Sequence, residues 1–186
     1  MAETTKNNEI YIVISQTGTL LSRILKGITH KAYNHASITP YSDLHIMYSF
    51  GRKNPYNPFW AGFVTESAEW GTFKRFSKAE VIVISIGIQE QTYANICSTL
   101  NTMLEDPKSY KYNYWGLWLA AFRIAVTGKN RYYCSEFVRE ILKLHSVNGS
   151  DKLQKIVHPM HFLSMPNVTT IYKGKLKDFN REPIEV

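Results

Sequence analysis

A chain of 186 residues is long enough to bury one hydrophobic core, and 44% hydrophobic with 20% charged residues is the composition of a globular protein. The net charge of +7 is dispersed rather than gathered in a run. This excludes a basic nucleic-acid arm and favours at most a weak contact with a membrane surface or an anionic substrate. Two cysteines without metal-ligand spacing predict neither a disulfide framework nor a zinc site.

The polar residues 1–9 predict a flexible N-terminus and not a signal peptide or a lipid anchor. No apolar run approaches the length of a bilayer span. We therefore expect a cytoplasmic protein. Because no repeat, low-complexity tract or linker interrupts the chain, residues 1–186 are expected to form a single domain.

The first part of the chain predicts strands around one helix. Residues 10–14 form an apolar run typical of a buried strand, and a helical stripe follows at 20–25. Residues 33–39 alternate between polar and apolar side chains, 40–43 turn the chain, and 44–50 return. These last three segments predict a β-hairpin.

The register of this hairpin follows from matching its two apolar faces, which requires an odd-numbered loop such as 41–43. It places Ile38 opposite Ile46 and His35 opposite Ser49. The other face then meets solvent or lines a cleft, because it carries mainly polar side chains: His35, Ser37, Thr39, His45, Met47 and Ser49.

The second part of the chain mixes helices with strands. A loop is predicted at 51–59, strands at 63–66, 72–76, 80–86 and 168–173, and helices at 89–105, 115–127, from residue 134, and from His158-Pro159. Regular helical crossovers between the strands are missing, and a hairpin is present. The sequence therefore predicts an α+β fold with an antiparallel sheet.

Cys134 lies where a strand-like step changes into an amphipathic helix. Apolar side chains recur at helical spacing after it: Phe137, Val138, Ile141 and Leu142. The cysteine should lie at or within one residue of the helix N-terminus, where backbone N–H groups and the helix dipole favour a thiolate and a developing oxyanion. The alternative is a cysteine packed as a small apolar residue, which is the expectation for Cys97.

A catalytic cysteine needs a base, and the polar hairpin face carries His35 and His45. His145 lies on the cysteine's own helix, about 16 Å from Cys134 at ~1.5 Å rise per residue, so it is too distant. Surface or capping positions are expected for the remaining histidines: His30, His158 and His161. Spacing alone leaves open whether Cys134 and His35 are related.

Four motifs, however, resemble one family: QTGTLLSR at 16–23, YNHASI at 33–38, MYSFG at 47–51 and YCSEFV at 133–138. They are similar to the circularly permuted NlpC/P60 cysteine hydrolases, papain-like proteins related to the YiiX-type enzymes, in which the histidine strand precedes the cysteine helix. The resemblance covers about residues 10–175. It implies a circularly permuted papain-like fold with an antiparallel sheet packed against helices.

The resemblance implies Cys134 as the nucleophile and His35 as the general base. The third polar position falls on the returning strand, where Ser49 stands, although the family more often has an acid, an amide or a histidine there. A serine supplies no negative charge to the imidazole, so three candidates stay open: Ser49, His45 and Glu66. By analogy with papain-like sites, Gln16 is a candidate oxyanion donor.

A thiol hydrolase or acyltransferase that cleaves an amide or ester through an acyl-enzyme is the function that the resemblance implies. Its substrate would be a small peptide, an amino-acid-containing molecule or a lipid acyl group, without a metal or organic cofactor and without a nucleic-acid partner. Aromatic side chains at 110–118 are candidates for lining an acyl groove. The alternative is a catalytically weakened domain that binds a ligand or a protein, which the serine at the third position favours.

Overall fold

The computed structural model of the protein describes residues 8–16, 33–54, 57–122, 124–126 and 128–180. Its strands are β1 Asn8–Gln16, β2 His35–Thr39, β3 Met47–Asn54, β4 Asn57–Glu66, β5 Glu80–Ile88, β6 Lys111–Tyr112, β7 Arg131–Tyr132 and β8 Val168–Lys175. Its α-helices are α1 Gly71–Arg75, α2 Glu90–Glu105, α3 Tyr114–Ala121 and α4 Cys134–Leu144, and short 3-10 helices cover Ser150–Lys152, Pro159–Ser164 and Leu176–Asp178. The helix predicted at 20–25, His30 and residues 1–7 lie outside the described ranges.

The eight described strands form one sheet in the order β7-β6-β4-β3-β2-β1-β5-β8. Every neighbouring pair is antiparallel except β6 and β7. The predicted α+β class with an antiparallel sheet is therefore confirmed. The apolar run at residues 10–14 of β1 follows from the strand's place inside the sheet, between β2 and β5, with both of its faces covered.

Alternate residues of β1 enter two separate cores. Ile12 and its even-numbered neighbours pack with α2 and α4 on one face of the sheet, whereas Val13 and its odd-numbered neighbours pack with Phe73 of α1 and Leu176 on the other. The helix α4 lies over β2 and β3, because its apolar stripe faces the first core. This packing brings the first turn of α4 to the start of β2.

The β2–β3 register differs from the predicted one by two residues. Ile38 pairs with Tyr48 and not with Ile46. The turn extends to residue 46, because the Thr39 hydroxyl donates a hydrogen bond to the Ile46 carbonyl over 2.6 Å. Leu44, predicted to begin the returning strand, adopts a φ of 57° within the turn and is buried in the second core.

A shift of two residues keeps each strand side chain on its predicted face but changes its partner across the pair. The face is less exposed than a solvated or cleft-lining surface would be, because Ser37, Thr39, Met47 and Ser49 are fully buried. His45 leaves the face altogether and lies in the exposed turn.

Other segment predictions were wrong. The glycine- and proline-rich residues 51–59 are largely paired in β3 and β4, with Asn54 opposite Asn57. Residues 72–76, predicted as a strand, mostly form the short helix α1, whose Phe73 alone is buried. In a run of this length, the pattern of apolar residues does not distinguish a strand from a single buried helical turn.

Two boundaries also differ from the predictions. The helix predicted at 115–127 ends at Ala121. Asn8 and Glu9, placed in the flexible N-terminus, pair with Ile88 and Gly87 in the sheet. Among the described helices, none is both long enough and apolar enough to cross a bilayer.

Candidate active site

Cys134 is the first residue of α4, so the predicted position at a helix N-terminus is confirmed. The first intrahelical bond joins the Phe137 N–H to the Tyr133 carbonyl over 2.9 Å, and the N–H groups of Cys134 and Ser135 precede it. The cysteine is 4% exposed, and its Sγ lies 3.8 Å from the carbonyl oxygen of Asn34, directly before β2. The nucleophile candidate is therefore held between a helix start and a strand start.

His35, the first residue of β2, lies between the regions of Cys134 and Glu66. Its Nε2 lies 3.0 Å from both carboxylate oxygens of Glu66, and the Cys134 side chain is near enough to raise the pKa of its ring. The structure therefore brings the thiol, the imidazole and the carboxylate into one neighbourhood, with the imidazole bonded to the carboxylate.

Of the three candidates for the third position, Glu66 is the one that contacts His35. The Ser49 hydroxyl donates instead to the carbonyl of Ala36, over 2.7 Å. His45 Nδ1 lies 2.5 Å from the Asp43 carboxylate in the exposed turn. The register shift explains the difference, since it moves Ser49 away from the position opposite His35.

Glu66 reaches the imidazole because its surroundings leave room for it and fix its orientation. The Ser37 hydroxyl donates to Glu66 Oε2 over 2.6 Å. A Cβ added to Gly51 would lie 3.2 Å from Glu66 Oε1 and 3.7 Å from His35 Cε1. Glycine at position 51 therefore provides the space in which the carboxylate and the imidazole meet.

The pair is strongly polarised. Burial by itself would lower the pKa of His35, but the Glu66 carboxylate and the neighbouring Cys134 side chain outweigh it and raise the pKa to about 10. Burial by itself would raise the pKa of Glu66, but the positive ring of His35 and the Ser37 hydroxyl lower it. With side chains only 14% and 9% exposed, His35 and Glu66 form a shielded ion pair at neutral pH.

This ion pair predicts a pH dependence of stability. His35 has a pKa near 6.5 in an unfolded chain and about 10 in the folded protein, so between these values only the folded protein keeps the proton. The stabilisation is complete below about pH 6.5, and the free energy of unfolding falls by up to ~1.4 kcal/mol per pH unit as the pH rises towards 10. Urea unfolding at several pH values, in wild type and Glu66→Gln, measures it.

The Glu66→Gln variant should show a shallower slope than wild type over this alkaline range, because His35 then lacks the carboxylate that holds its proton. At low pH the sign reverses: the lowered pKa of Glu66 contributes stability that is lost as the pH falls through that pKa. Parallel curves for the two proteins from pH 6 to 10 would contradict the ion pair.

A groove of about 110 Å³ opens at the thiol. Besides Cys134, its wall is mainly apolar and comes from α3 and from the segment that leads into the second 3-10 helix and its first residue: Leu117, Ala120, Ile156, Val157 and Pro159. Such a lining suits an apolar group on the acyl side of a scissile bond.

Two side chains of α4 hold the segment that contributes Ile156 and Val157 to the groove. The Ser135 hydroxyl donates to the Val157 carbonyl over 2.7 Å. The buried Arg139 guanidinium donates to the carbonyls of Gln154 (3.1 Å) and Lys155. The helix that carries the cysteine therefore also positions the segment against which a substrate would lie.

Sequence reasoning missed the place of His158 and His161 in this groove. The predicted capping role of His158 is confirmed, since its Nδ1 accepts from the Met160 N–H over 3.3 Å at the start of the 3-10 helix. Both rings also line the groove. The proline between them indicated a helix start, but nothing local indicated which surface that helix would face.

The other candidates lie elsewhere. Cys97, expected in the core, is half-buried on α2, and burial raises the pKa of its thiol. His145 follows the end of α4 and is hydrogen-bonded to Thr99 at 2.9 Å, in agreement with its exclusion as a partner of Cys134. Gln16 ends β1 opposite Glu80, and its role as an oxyanion donor stays a prediction.

Comparison with known proteins adds no relative. Neither family models nor curated proteins give a match to this chain. Within the described ranges, no group of three or more His, Cys, Asp or Glu side chains is placed to hold a metal ion.

Proposed function

We propose that the protein is a cysteine-dependent hydrolase or acyltransferase of the circularly permuted NlpC/P60 type, acting on an amide or ester bond. Cys134 is the nucleophile, His35 is its acid–base partner, and Glu66 orients His35 and keeps its ring protonated. The observation that carries this proposal is the His35 ring, which is bonded to the Glu66 carboxylate and lies near enough to the Cys134 thiol to interact with it, while the thiol itself lines a groove.

The charge distribution supports a thiolate as the attacking group. A His35 with a pKa of about 10 is protonated at neutral pH, and a cation beside a sulfur at a helix N-terminus favours the thiolate. The Glu66 carboxylate balances the imidazolium, so the pair does not leave an unpaired buried cation. In the proposed mechanism the Cys134 thiolate attacks while His35 carries its positive charge.

The reaction proceeds in two displacements. The Cys134 thiolate attacks the substrate carbonyl carbon, a C–S bond forms, and the carbonyl electron pair moves onto oxygen. The backbone N–H groups of Cys134 and Ser135, which precede the first intrahelical bond of α4, are placed to donate to that oxyanion. Collapse of the intermediate expels the leaving amine or alcohol and leaves a thioester.

Proton donation to the leaving group follows from the same electrostatics. The thiolate charge is one reason why the pKa of His35 is high. When the sulfur becomes bonded to the acyl carbon, that charge is lost, so the pKa of His35 falls and its proton passes to the leaving group. Neutral His35 then removes a proton from water, or from a second nucleophile, which attacks the thioester and restores the thiolate.

Alkylation by iodoacetamide tests the proposal without a known substrate. We expect Cys134 to react at pH 6, because its thiolate is maintained by His35, whereas Cys97, whose pKa is raised by burial, reacts only at alkaline pH. A Cys97→Ser background isolates the Cys134 signal. His35→Ala should remove the reaction at pH 6 while keeping the fold, as measured by circular dichroism.

Two outcomes would reject the enzyme. One is a Cys134 that reacts with the pH profile of a free thiol, and the other is labelling of Cys134 only after unfolding. Either result would favour the alternative, a domain that binds a ligand or a protein through the same groove. Reactivity at pH 6 that depends on His35 would justify a screen of acyl esters and amides, with Cys134→Ala as the inactive control.

A further inference from the structure

The helix α3 and the segment after it present large apolar side chains to solvent. Trp115 is 76% exposed and Phe122 68%, and three further side chains of this stretch are also exposed: Trp118, Ile124 and Val126. Trp60 is exposed as well, and the bond from the Ala61 N–H to the Tyr114 hydroxyl (2.9 Å) places it beside the start of α3. An exposed group of this kind marks an interaction surface. We call these six residues the aromatic face.

The segment that carries most of the aromatic face has charged residues of one sign. Residues 107–135 contain five Lys or Arg and no Asp or Glu. Lys111 and Arg131 are exposed and directly opposite each other in the β6–β7 pair, where like charges destabilise the pairing. An anionic partner at this edge of the sheet would remove that repulsion.

The aromatic face adjoins the proposed catalytic site. Leu117 and Ala120 of α3 line the groove at Cys134. Asn113, which caps α3 by accepting from the Gly116 N–H (2.9 Å), also donates to Glu136 in the first turn of α4 (3.3 Å). One side of α3 therefore belongs to the groove while other side chains of the same helix are exposed.

We propose that the aromatic face docks on an anionic phospholipid bilayer. Tryptophan rings combine an apolar body with a polar N–H and collect at the membrane–water interface, and flanking lysines and arginines are attracted to anionic lipid headgroups. A second copy of the chain fits this surface less well, because two faces with only positive charge would repel each other.

Docking in this orientation would present the groove at Cys134 to the lipid surface. The substrate class would then be an acyl ester or amide of a membrane lipid, whose apolar chain enters between Leu117 and Pro159. This last step rests on the proposed function, whereas docking itself does not.

The test is co-flotation of Cys134→Ala protein with vesicles of phosphatidylcholine alone or mixed with phosphatidylglycerol. We expect binding to the mixed vesicles, weakened by salt, and quenching of tryptophan fluorescence by lipids with brominated acyl chains. Trp115→Ala/Phe122→Ala should lower the affinity at least ~10-fold, because two large apolar groups no longer enter the interface. Lys111→Glu/Arg131→Glu should lower it too and reduce the salt dependence.

Matched controls are Trp70→Ala and Leu144→Ala, which remove exposed apolar side chains outside the aromatic face and should leave binding unchanged. The proposal fails if mixed vesicles do not bind, if the controls lower binding equally, or if Trp115→Ala/Phe122→Ala instead dissolves a dimer seen by sedimentation. Vesicle binding is measured on Cys134→Ala protein, whereas alkylation is measured on protein that retains Cys134. The two tests are therefore independent, and either can fail while the other succeeds.

Discussion

Replacing Glu66 with glutamine should slow turnover of an acyl ester by ~10² to 10⁴-fold, the range that follows loss of the charge behind a catalytic imidazole. Glutamine has almost the same shape but cannot balance a positive His35 ring, which Glu66 does through two contacts of 3.0 Å. The alkylation rate at pH 6 should fall by a smaller factor, about 10-fold, because the loss of thiolate is partly offset: the thiolate of a less acidic thiol is intrinsically more nucleophilic. Both rates can be measured on one preparation.

Ser49→Ala is the matched control, because Ser49 is one of the candidates that the sequence offers for the third group. Its hydroxyl donates to the Ala36 carbonyl, so the substitution should cost about 1 kcal/mol of stability and leave the alkylation profile unchanged. If Ser49→Ala removed the reactivity at pH 6 and Glu66→Gln did not, the assignment of Glu66 would be wrong.

The position of Cys134 at a helix start could be predicted because the residues on either side of it indicate that start. The apolar spacing after Cys134 specifies a helix, and the bulky residues before it specify where that helix begins. The alternation of polar and apolar residues likewise predicted the strand β2 and placed His35 on its polar face. Contact between Cys134 and His35 was a different matter, since it joins residues distant in the sequence, and only the resemblance suggested it.

The third group of the site could not be identified from local sequence patterns. Hairpin pairing was derived from a minimal loop, but the turn to Ile46 is longer, because Thr39 bonds across it and Leu44 finds a place in the second core. Glu66 lies at the end of a strand that was predicted only in part, and its route to His35 depends on the small size of Gly51. Neither effect has a signature in the residues near Glu66.

The exposure of the aromatic face could not be predicted from the sequence either. Periodicity showed that residues 115–127 are apolar, and an apolar stretch is normally read as core. Exposure depends on what covers the helix, and α3 is short and lies beside the β6–β7 edge of the sheet. The same tryptophans that would have supported a buried helix therefore lie at the surface.

Phe137→Ala should be among the most destabilising substitutions in the chain, with a loss of ~3–5 kcal/mol in the free energy of unfolding. Phe137 is fully buried three residues after Cys134, and its ring lies 5.2 Å from that of Phe50 and 5.7 Å from that of Phe63. Truncation removes the aromatic contacts that hold the start of α4 on the sheet and leaves a cavity under the site.

Urea unfolding measures this loss, and Leu144→Ala on the same helix is the control. Leu144 is 67% exposed, so its truncation should change stability by no more than ~0.5 kcal/mol. Because Phe137 fixes the turn that carries the thiol, its loss should also slow alkylation of Cys134 at pH 6, under conditions in which the variant is still folded. A loss below ~1 kcal/mol with unchanged alkylation would show that α4 is held mainly by Val138, Ile141 and Leu142.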